Sequence, residues 1–328
     1  SAFSLRKAET PAPASKPAKA KETELERPMS EATPILHMLA PQKHMSPFDV
    51  NMAADAGYKV IVPYINVELN EVAGLIQDAI FSRPPNYGVR TGFFMGGKDA
   101  ILALDMIEAA KKAMVPPFEC SVFADPAGSF TTAAAMVACV EKVLKDKFNT
   151  GWKGVKVAVC GATGVVGFAS SIISALEGAD VRLVAHRGVD RVIKSAKVSK
   201  ERFGVDLEAV AGETPEQKAD IIANADVIFA AAAAGVQVVS GEHKKLAKHL
   251  KVIADVNAVP PAGVEGMELF MNGDKLPGCD ALGVGPLAIG DIKYKCESGL
   301  FKEMLASDKP LALDFRHAYA KAKELVGI

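Results

Sequence analysis

A run at 155–160 that is apolar but for Lys156 leads straight into Gly161-Ala162-Thr163-Gly164-Val165-Val166-Gly167, and a segment of helical period follows to about Gly178. A buried parallel strand that ends in closely spaced glycines and turns at once into a helix severely limits what such a chain can fold into. The glycines let a ligand come against backbone without side chains in the way. The helix start presents unpaired N–H groups and the positive end of a dipole to an anion. The spacing is GxxGxxG and not GxGxxG, and a glycine trio alone implies no more than a tight turn. Here a second strand at 181–185 ends about twenty residues later, which is the context a nucleotide-binding βαβ unit requires. Further strands at 205–210, 227–231 and 252–255 alternate with helical stretches. Residues 151–290 are therefore predicted to form a Rossmann-like, doubly wound domain, with Gly161 to Gly167 at a dinucleotide pyrophosphate.

The end of the second strand bears on which nicotinamide cofactor fits, because an acid there bonds the ribose hydroxyls and repels a 2′-phosphate. It reads Ala185-His186-Arg187-Gly188, with Arg191 and Lys194 nearby. Arg187 offers a planar partner for a phosphate, and Asp190 lies late but within reach of a ribose, so NADP or NAD is expected. The plainer alternative is a solvated basic loop. Two more loops fall at the carboxyl edge of the sheet. Ala232 and Ala233 let backbone lie against a cofactor, or simply pack strand on helix. Asn257, before the stiff Val259-Pro260-Pro261 turn, is placed near the nicotinamide.

The remainder supplies a second α/β unit. At about 100 to 200 residues per domain, 328 residues suggest two domains. Strands are predicted at 35–39, 59–63, 92–95 and 121–124, with helices over 68–81, 99–114 and 131–148, giving a parallel βα domain over 29–150. Ser46-Pro47-Phe48-Asp49 has the form of a capping box with proline at the first helical position, and Gly57 supplies the stop. Residues 292–305 and 311–325 read as two helices, and 291–328 are expected to cross back onto the first domain. Residues 1–28, rich in Ala, Pro, Lys and Glu, are predicted to be a disordered extension without a targeting role.

Composition excludes several classes. The chain has 38 basic and 39 acidic residues, where a nucleic-acid binder is usually basic. No window carries the apolar length of a membrane span and no signal-peptide core is visible, so the cytoplasm is the default expectation. Five cysteines without a CxxC pair predict neither a disulfide framework nor a zinc cage, and the histidines match no ligand template, so no metal is expected.

Several longer stretches go beyond the generic pattern. They are His44-Met45-Ser46-Pro47-Phe48-Asp49-Val50-Asn51, Phe123-Ala124-Asp125-Pro126-Ala127-Gly128-Ser129-Phe130-Thr131-Thr132 and Asp255-Val256-Asn257-Ala258-Val259-Pro260-Pro261-Ala262-Gly263. Together with the glycine loop they resemble the bacterial NAD(P)-dependent methylene-tetrahydromethanopterin dehydrogenases, from about Ile35 to the last residue. The resemblance implies hydride transfer from methylene-tetrahydromethanopterin to NAD or NADP, within one-carbon metabolism and the oxidation of formaldehyde by methylotrophic bacteria. It also implies a homo-oligomer, a trimer or a multiple of one. Hydride leaves a carbon flanked by two nitrogens, so a delocalised cation forms and no general base is required.

The same resemblance carries over candidate residues. Phe48 and Asp49 match a pair at the substrate cleft, although Asp49 also suits a cap. In Gly96-Gly97-Lys98-Asp99, Lys98 is a candidate substrate contact and Asp99 a cap. Asp125 is placed to stabilise the cationic product, Thr131 and Thr132 to bond the pterin, and Lys293 to orient its ring, against the plainer reading of a surface lysine. Three other readings stand beside this one. They are a methylene-tetrahydrofolate dehydrogenase, a short-chain reductase using the YxxxK spacing of Tyr319 and Lys323, and a non-catalytic NADPH sensor or scaffold.

Overall fold

The computed structural model describes residues 31–328, so the predicted extension at 1–28 lies outside the described residues. One sheet holds β1 (Ile35–Leu39), β2 (Val60–Tyr64), β3 (Thr91–Met95), β4 (Ser121–Ala124) and, late in the chain, β12 (Ala312–Leu313). Its order is β12-β4-β3-β1-β2 and every pairing is parallel. The other holds β5 (Lys156–Cys160), β6 (Asp180–Ala185), β7 (Leu207–Ala211), β8 (Val227–Ala230), β9 (Val252–Asp255), β10 (Asn272–Lys275) and β11 (Leu282–Val284), in the order β10-β11-β9-β8-β5-β6-β7. Only β10 runs antiparallel. Each sheet reverses its winding beside its first strand, between β1 and β3 and between β5 and β8. Such reversals open a crevice at the carboxyl ends of the strands, where ligands bind.

The helices are α1 (Pro47–Ala56), α2 (Val72–Phe81), α3 (Ala100–Ala113), α4 (Ser129–Phe148), α5 (Val165–Leu176), α6 (Asp190–Phe203), α7 (Pro215–Asn224), α8 (Gly241–Leu246), α9 (Pro286–Ala306) and α10 (Phe315–Val326). Local chemistry sets many of their starts. Asp99 accepts the Leu102 N–H at 2.9 Å to begin α3, Thr214 and Gln217 close a capping box on α7, and Asp314 accepts the Arg316 N–H at 2.8 Å to begin α10. With its flanking turn α4 is long and apolar enough by composition to cross a membrane, but most of it is buried among α5, α9 and α10.

Several boundaries differ from the sequence expectation. Helix α9 starts at Pro286, not at Ile292, because Gly285 supplies an extended N-cap and Pro286 the first helical position, while Gly290 is tolerated within the helix. The segment expected to be helical from Leu311 first forms β12 beside β4, and the helix waits for its Asp314 cap. The strand expected over 205–210 pairs over Leu207–Ala211. Strands β10 and β11 carry too little apolar pattern to have been anticipated.

One continuous apolar core spans both sheets. Phe94 and Phe123 meet Phe301 of α9 at centroid distances of 5.7 and 5.2 Å. Phe315 of α10 meets Phe130 of α4 at 5.1 Å, Phe203 of α6 at 5.3 Å and Phe168 of α5 at 6.5 Å. That single ring joins helices of both sheets.

Candidate active site

The glycine loop sits at the β5/β8 reversal. A Cβ on Gly161 would lie 2.2 Å from the Ala231 carbonyl oxygen, and one on Gly167 would lie 2.2 Å from the Gly161 oxygen. Both glycines are forced by backbone meeting backbone. Gly164 is different: a Cβ there would have only the Gly161 oxygen nearby, at 3.5 Å. Gly164 is exposed at the start of α5, where backbone is open to a ligand. A cavity of about 210 Å³ extends from Gly161, Ala162 and Thr163 to His186, Arg187, Gly188 and Arg191. This geometry suits a dinucleotide: unobstructed backbone, a helix start for the pyrophosphate, and arginines at the far end. Residues Val165 and Val166 form the first turn of the helix itself. Ala232 follows Ala231 in the packing against Gly161, so that contact is close packing of backbone on backbone, and Ala233 is exposed.

A second cavity, of about 440 Å³, lies beyond β9 and is lined by Asp255, Asn257, Val259, Leu269 and Pro286 among others. Asn257 is not aimed at it as a free amide. Its Nδ2 donates to the Pro261 carbonyl at 2.9 Å and its Oδ1 accepts the Val259 N–H at 2.9 Å, so the side chain holds its own loop in shape. Buried Asp255 secures the same loop through the N–H groups of Asn257 and Val264.

In the other sheet the chain builds a buried ionic cluster. Ser46 occupies the N-cap position of α1 with extended backbone, but its side chain makes no capping bond. Asp49 instead turns inward and is only 3 % exposed. It meets Asp125, from the end of β4, and Glu297, from α9, with carboxyl oxygens all within 4.8 Å of one another. Lys293 lies one turn before Glu297 and hydrogen-bonds to Glu297 Oε1, and its Nζ stands 4.1 Å from the centre of the Phe48 ring. Lys293 is thus a buried lysine and not a surface one. Glu297, fully buried, went unmarked in the sequence, although it is spaced with Lys293, Cys296, Leu300 and Met304 along the inward stripe of α9. A charged pair on an otherwise apolar stripe is the signal that marks it.

Three carboxyls in so small a volume cannot all ionise without cost. Burial, and then the Glu297 charge, push Asp125 up to about 7, with Lys293 and Thr131 pulling the other way. Burial, and then its bond with Asp49, push Glu297 up to about 8. Burial likewise raises Asp49. Among the described residues Asp49 Oδ1 and Glu297 Oε2 have no other donor, and one proton held between the two side chains satisfies both. For Lys293 burial works against the charge, but Asp125, Glu297 and Asp49 outweigh it and hold the ammonium above the ordinary lysine range. The acidic spacing would also suit a cation, and the Lys293 ammonium already provides one.

The threonines support this cluster. Thr131 donates its hydroxyl to Asp125 Oδ2 at 2.7 Å and its N–H to Oδ1 at 3.1 Å, while Thr132 donates to the Gly128 carbonyl at 2.9 Å. Their hydroxyls hold the turn before α4 and do not reach outward as pterin contacts. Gly128, with φ +63°, lies against Lys293, where a Cβ would come within 3.3 Å of Nζ. Lys98 is exposed at the end of β3 and is not drawn into the cluster. Tyr319 and Lys323 are elsewhere: the Tyr319 hydroxyl donates to Glu141 of α4 at 2.8 Å, and Lys323 lies 3.8 Å from the same carboxylate.

A glycine-lined cavity suited to a dinucleotide in one sheet and a buried acid–lysine cluster in the other describe an α/β protein with the fold of the dinucleotide-dependent dehydrogenases. Quinate dehydrogenase from Corynebacterium glutamicum, solved with NAD, has this fold with a TM-score of 0.52 at 14 % identity over 89 % of this chain and 99 % of its own. Ornithine transcarbamoylase from Giardia lamblia also scores 0.52, at 11 % identity over 88 % of this chain and 91 % of its own, so the likeness is one of fold and not of chemistry. Sequence is more specific. Residues 47–127 match the family described as methylene-tetrahydromethanopterin dehydrogenase, N-terminal. The chain is 52 % identical to the NAD(P)-dependent methylenetetrahydromethanopterin dehydrogenase of Methylorubrum extorquens, over 90 % of this chain and 100 % of that protein. It is 31 % identical to the bifunctional protein MdtA of the same organism, over 85 % of this chain and 94 % of that one. The chain belongs to the methylene-tetrahydromethanopterin dehydrogenase family.

Proposed function

We propose that the protein transfers a hydride from methylene-tetrahydromethanopterin to NAD or NADP, giving the methenyl form, as a homo-oligomer in the cytoplasm and within bacterial formaldehyde oxidation. The observation that carries the site assignment is the cluster of Asp49, Asp125, Glu297 and Lys293 at the carboxyl end of the first sheet. Gly161 to Gly167 and the Arg187 loop would hold the nucleotide cofactor, which would supply the hydride acceptor. Removing a hydride from a carbon between two nitrogens leaves a delocalised cation, so what the chain must provide is position and field and not a base. Asp125 is buried, fixed by two bonds from Thr131, and needs no reorganisation to face a developing positive charge. A carboxylate about 4 Å from a cation is worth about 4 kcal/mol at an effective dielectric of 20, enough to matter to a rate.

Lys293 keeps the three acids in place without neutralising them all, and it also presents its cationic head to the face of the Phe48 ring. Phe48 is half exposed and the apolar surface at the cluster's rim, which fits the face of a pterin. The testing experiment is steady-state oxidation of methylene-tetrahydromethanopterin and methylene-tetrahydrofolate, each with NAD and NADP, followed by absorbance of the reduced nicotinamide. Turnover with the methanopterin and little with the folate is expected. Preference for folate moves the assignment to a folate enzyme, and nucleotide binding without turnover on either carrier leaves a sensor.

A further inference from the structure

We propose that Glu213 sets the balance between NAD and NADP, supplying from the loop after β7 the acid that the end of β6 lacks. This rests on reading the cavity at Gly161 and Arg187 as the cofactor site. The chain brings Glu213 there by close packing. The Gly212 N–H donates to the Ala185 carbonyl at 2.8 Å, and a Cβ on Gly212 would fall 2.5 Å from Val184 Cγ1, so glycine lets this loop press against the end of β6. The side-chain Oε1 of Gln217 accepts the N–H groups of Glu213 and Thr214 at 3.0 and 3.1 Å and fixes the turn. The Glu213 carboxylate then accepts the N–H of Gly188, a residue of the cavity wall directly after Arg187.

An arginine just after the second strand accommodates a 2′-phosphate on the ribose, and a backbone N–H beside it can donate to the same anion. Here that N–H already holds an anion of the chain itself. With NAD the carboxylate stays and offers an acceptor to the ribose hydroxyls. With NADP the phosphate must displace Glu213 and approach a like charge, although Arg187 and Arg191 draw it in. The two effects oppose each other, so the site accepts both cofactors instead of one.

The test measures equilibrium binding of 5′-AMP and 2′,5′-ADP to the full chain and to Glu213→Gln, by calorimetry at low salt. Removing one exposed charge from beside a phosphate should tighten 2′,5′-ADP about fivefold to tenfold and leave 5′-AMP unchanged or weaker. Glu213→Ala should act in the same direction, and a thermal melt of each variant reports whether it is folded. Equal shifts for both nucleotides, or none, would overturn the role of Glu213 while leaving the cavity assignment intact. Failure of the unmodified chain to bind either nucleotide would overturn both.

Discussion

Asp125 and Glu297 sit where burial moves carboxyl titration into the neutral range, so the charge of the buried cluster changes as pH rises through about 7 and 8. The two titrate as parts of one coupled cluster with Asp49 and Lys293. Their raised values mean that the folded chain holds protons the unfolded chain has lost. Their contribution to stability is therefore greatest below about pH 4 and is lost as pH rises through about 7 and 8. One differing proton is worth about 1.4 kcal/mol per pH unit. Glu297→Gln removes one such proton, so between pH 5 and 7 its unfolding free energy should fall about 1 kcal/mol per unit less steeply than that of the unmodified chain. Denaturant titrations at three pH values check this, and parallel slopes would contradict it. Ionisation makes the cluster more negative and favours a cation, so kcat should rise with pH through the same range and the rise should flatten in Glu297→Gln. Asp125→Asn removes the fixed carboxylate outright and is expected to lower kcat about 100-fold with KM changed less than about threefold.

At the scale of elements, the three glycines of the 161–167 loop have different reasons to be there. Gly161 and Gly167 answer to neighbouring backbone, whereas Gly164 leaves room that none of the described residues fills. Its φ of −76° is open to any residue. Gly164→Ala should therefore melt within about 2 °C of the unmodified chain and yet bind NADP at least tenfold more weakly. Gly167→Ala should lose stability and binding together. A Gly164→Ala variant with normal affinity would show that no ligand uses that space. The strand–glycine–helix unit was legible in the sequence because its chemistry is local: apolar run, small turn, helix. Lys293 was legible only through resemblance, and Glu297 only as one half of a charged pair on an otherwise apolar stripe, because a buried charge looks like a solvated one until its neighbours are known. The capping box at Ser46 was locally sound, but Asp49 had a stronger use among groups from β4 and α9. Strand β12 escaped notice since two residues carry no period, and its pairing with β4 is set nearly two hundred residues away.

For the whole molecule, the question is what holds the two sheets together. The return of α9, β12 and α10 answers it. Strand β12 extends the first sheet, Phe315 packs against α4, α5 and α6 together, and Arg202 of α6 pairs with Asp105 of α3 across the seam. Within this seam Tyr319 of α10 donates to buried Glu141 of α4. Thr131 and Glu141 are ten residues apart on one helix, which at 1.5 Å per residue places this contact about 15 Å from the Asp125 cluster. Tyr319→Phe leaves a buried carboxylate with Lys323 as its remaining charged neighbour at 3.8 Å, and should cost about 1–3 kcal/mol and several degrees of melting temperature. Turnover below the melting range should stay within about twofold, because the hydroxyl is remote from hydride transfer. A collapse of kcat in a chain that melts normally would instead make Tyr319 and Lys323 a reductase pair, and would require the reacting centre to lie at the seam and not at the carboxyl edge of the first sheet.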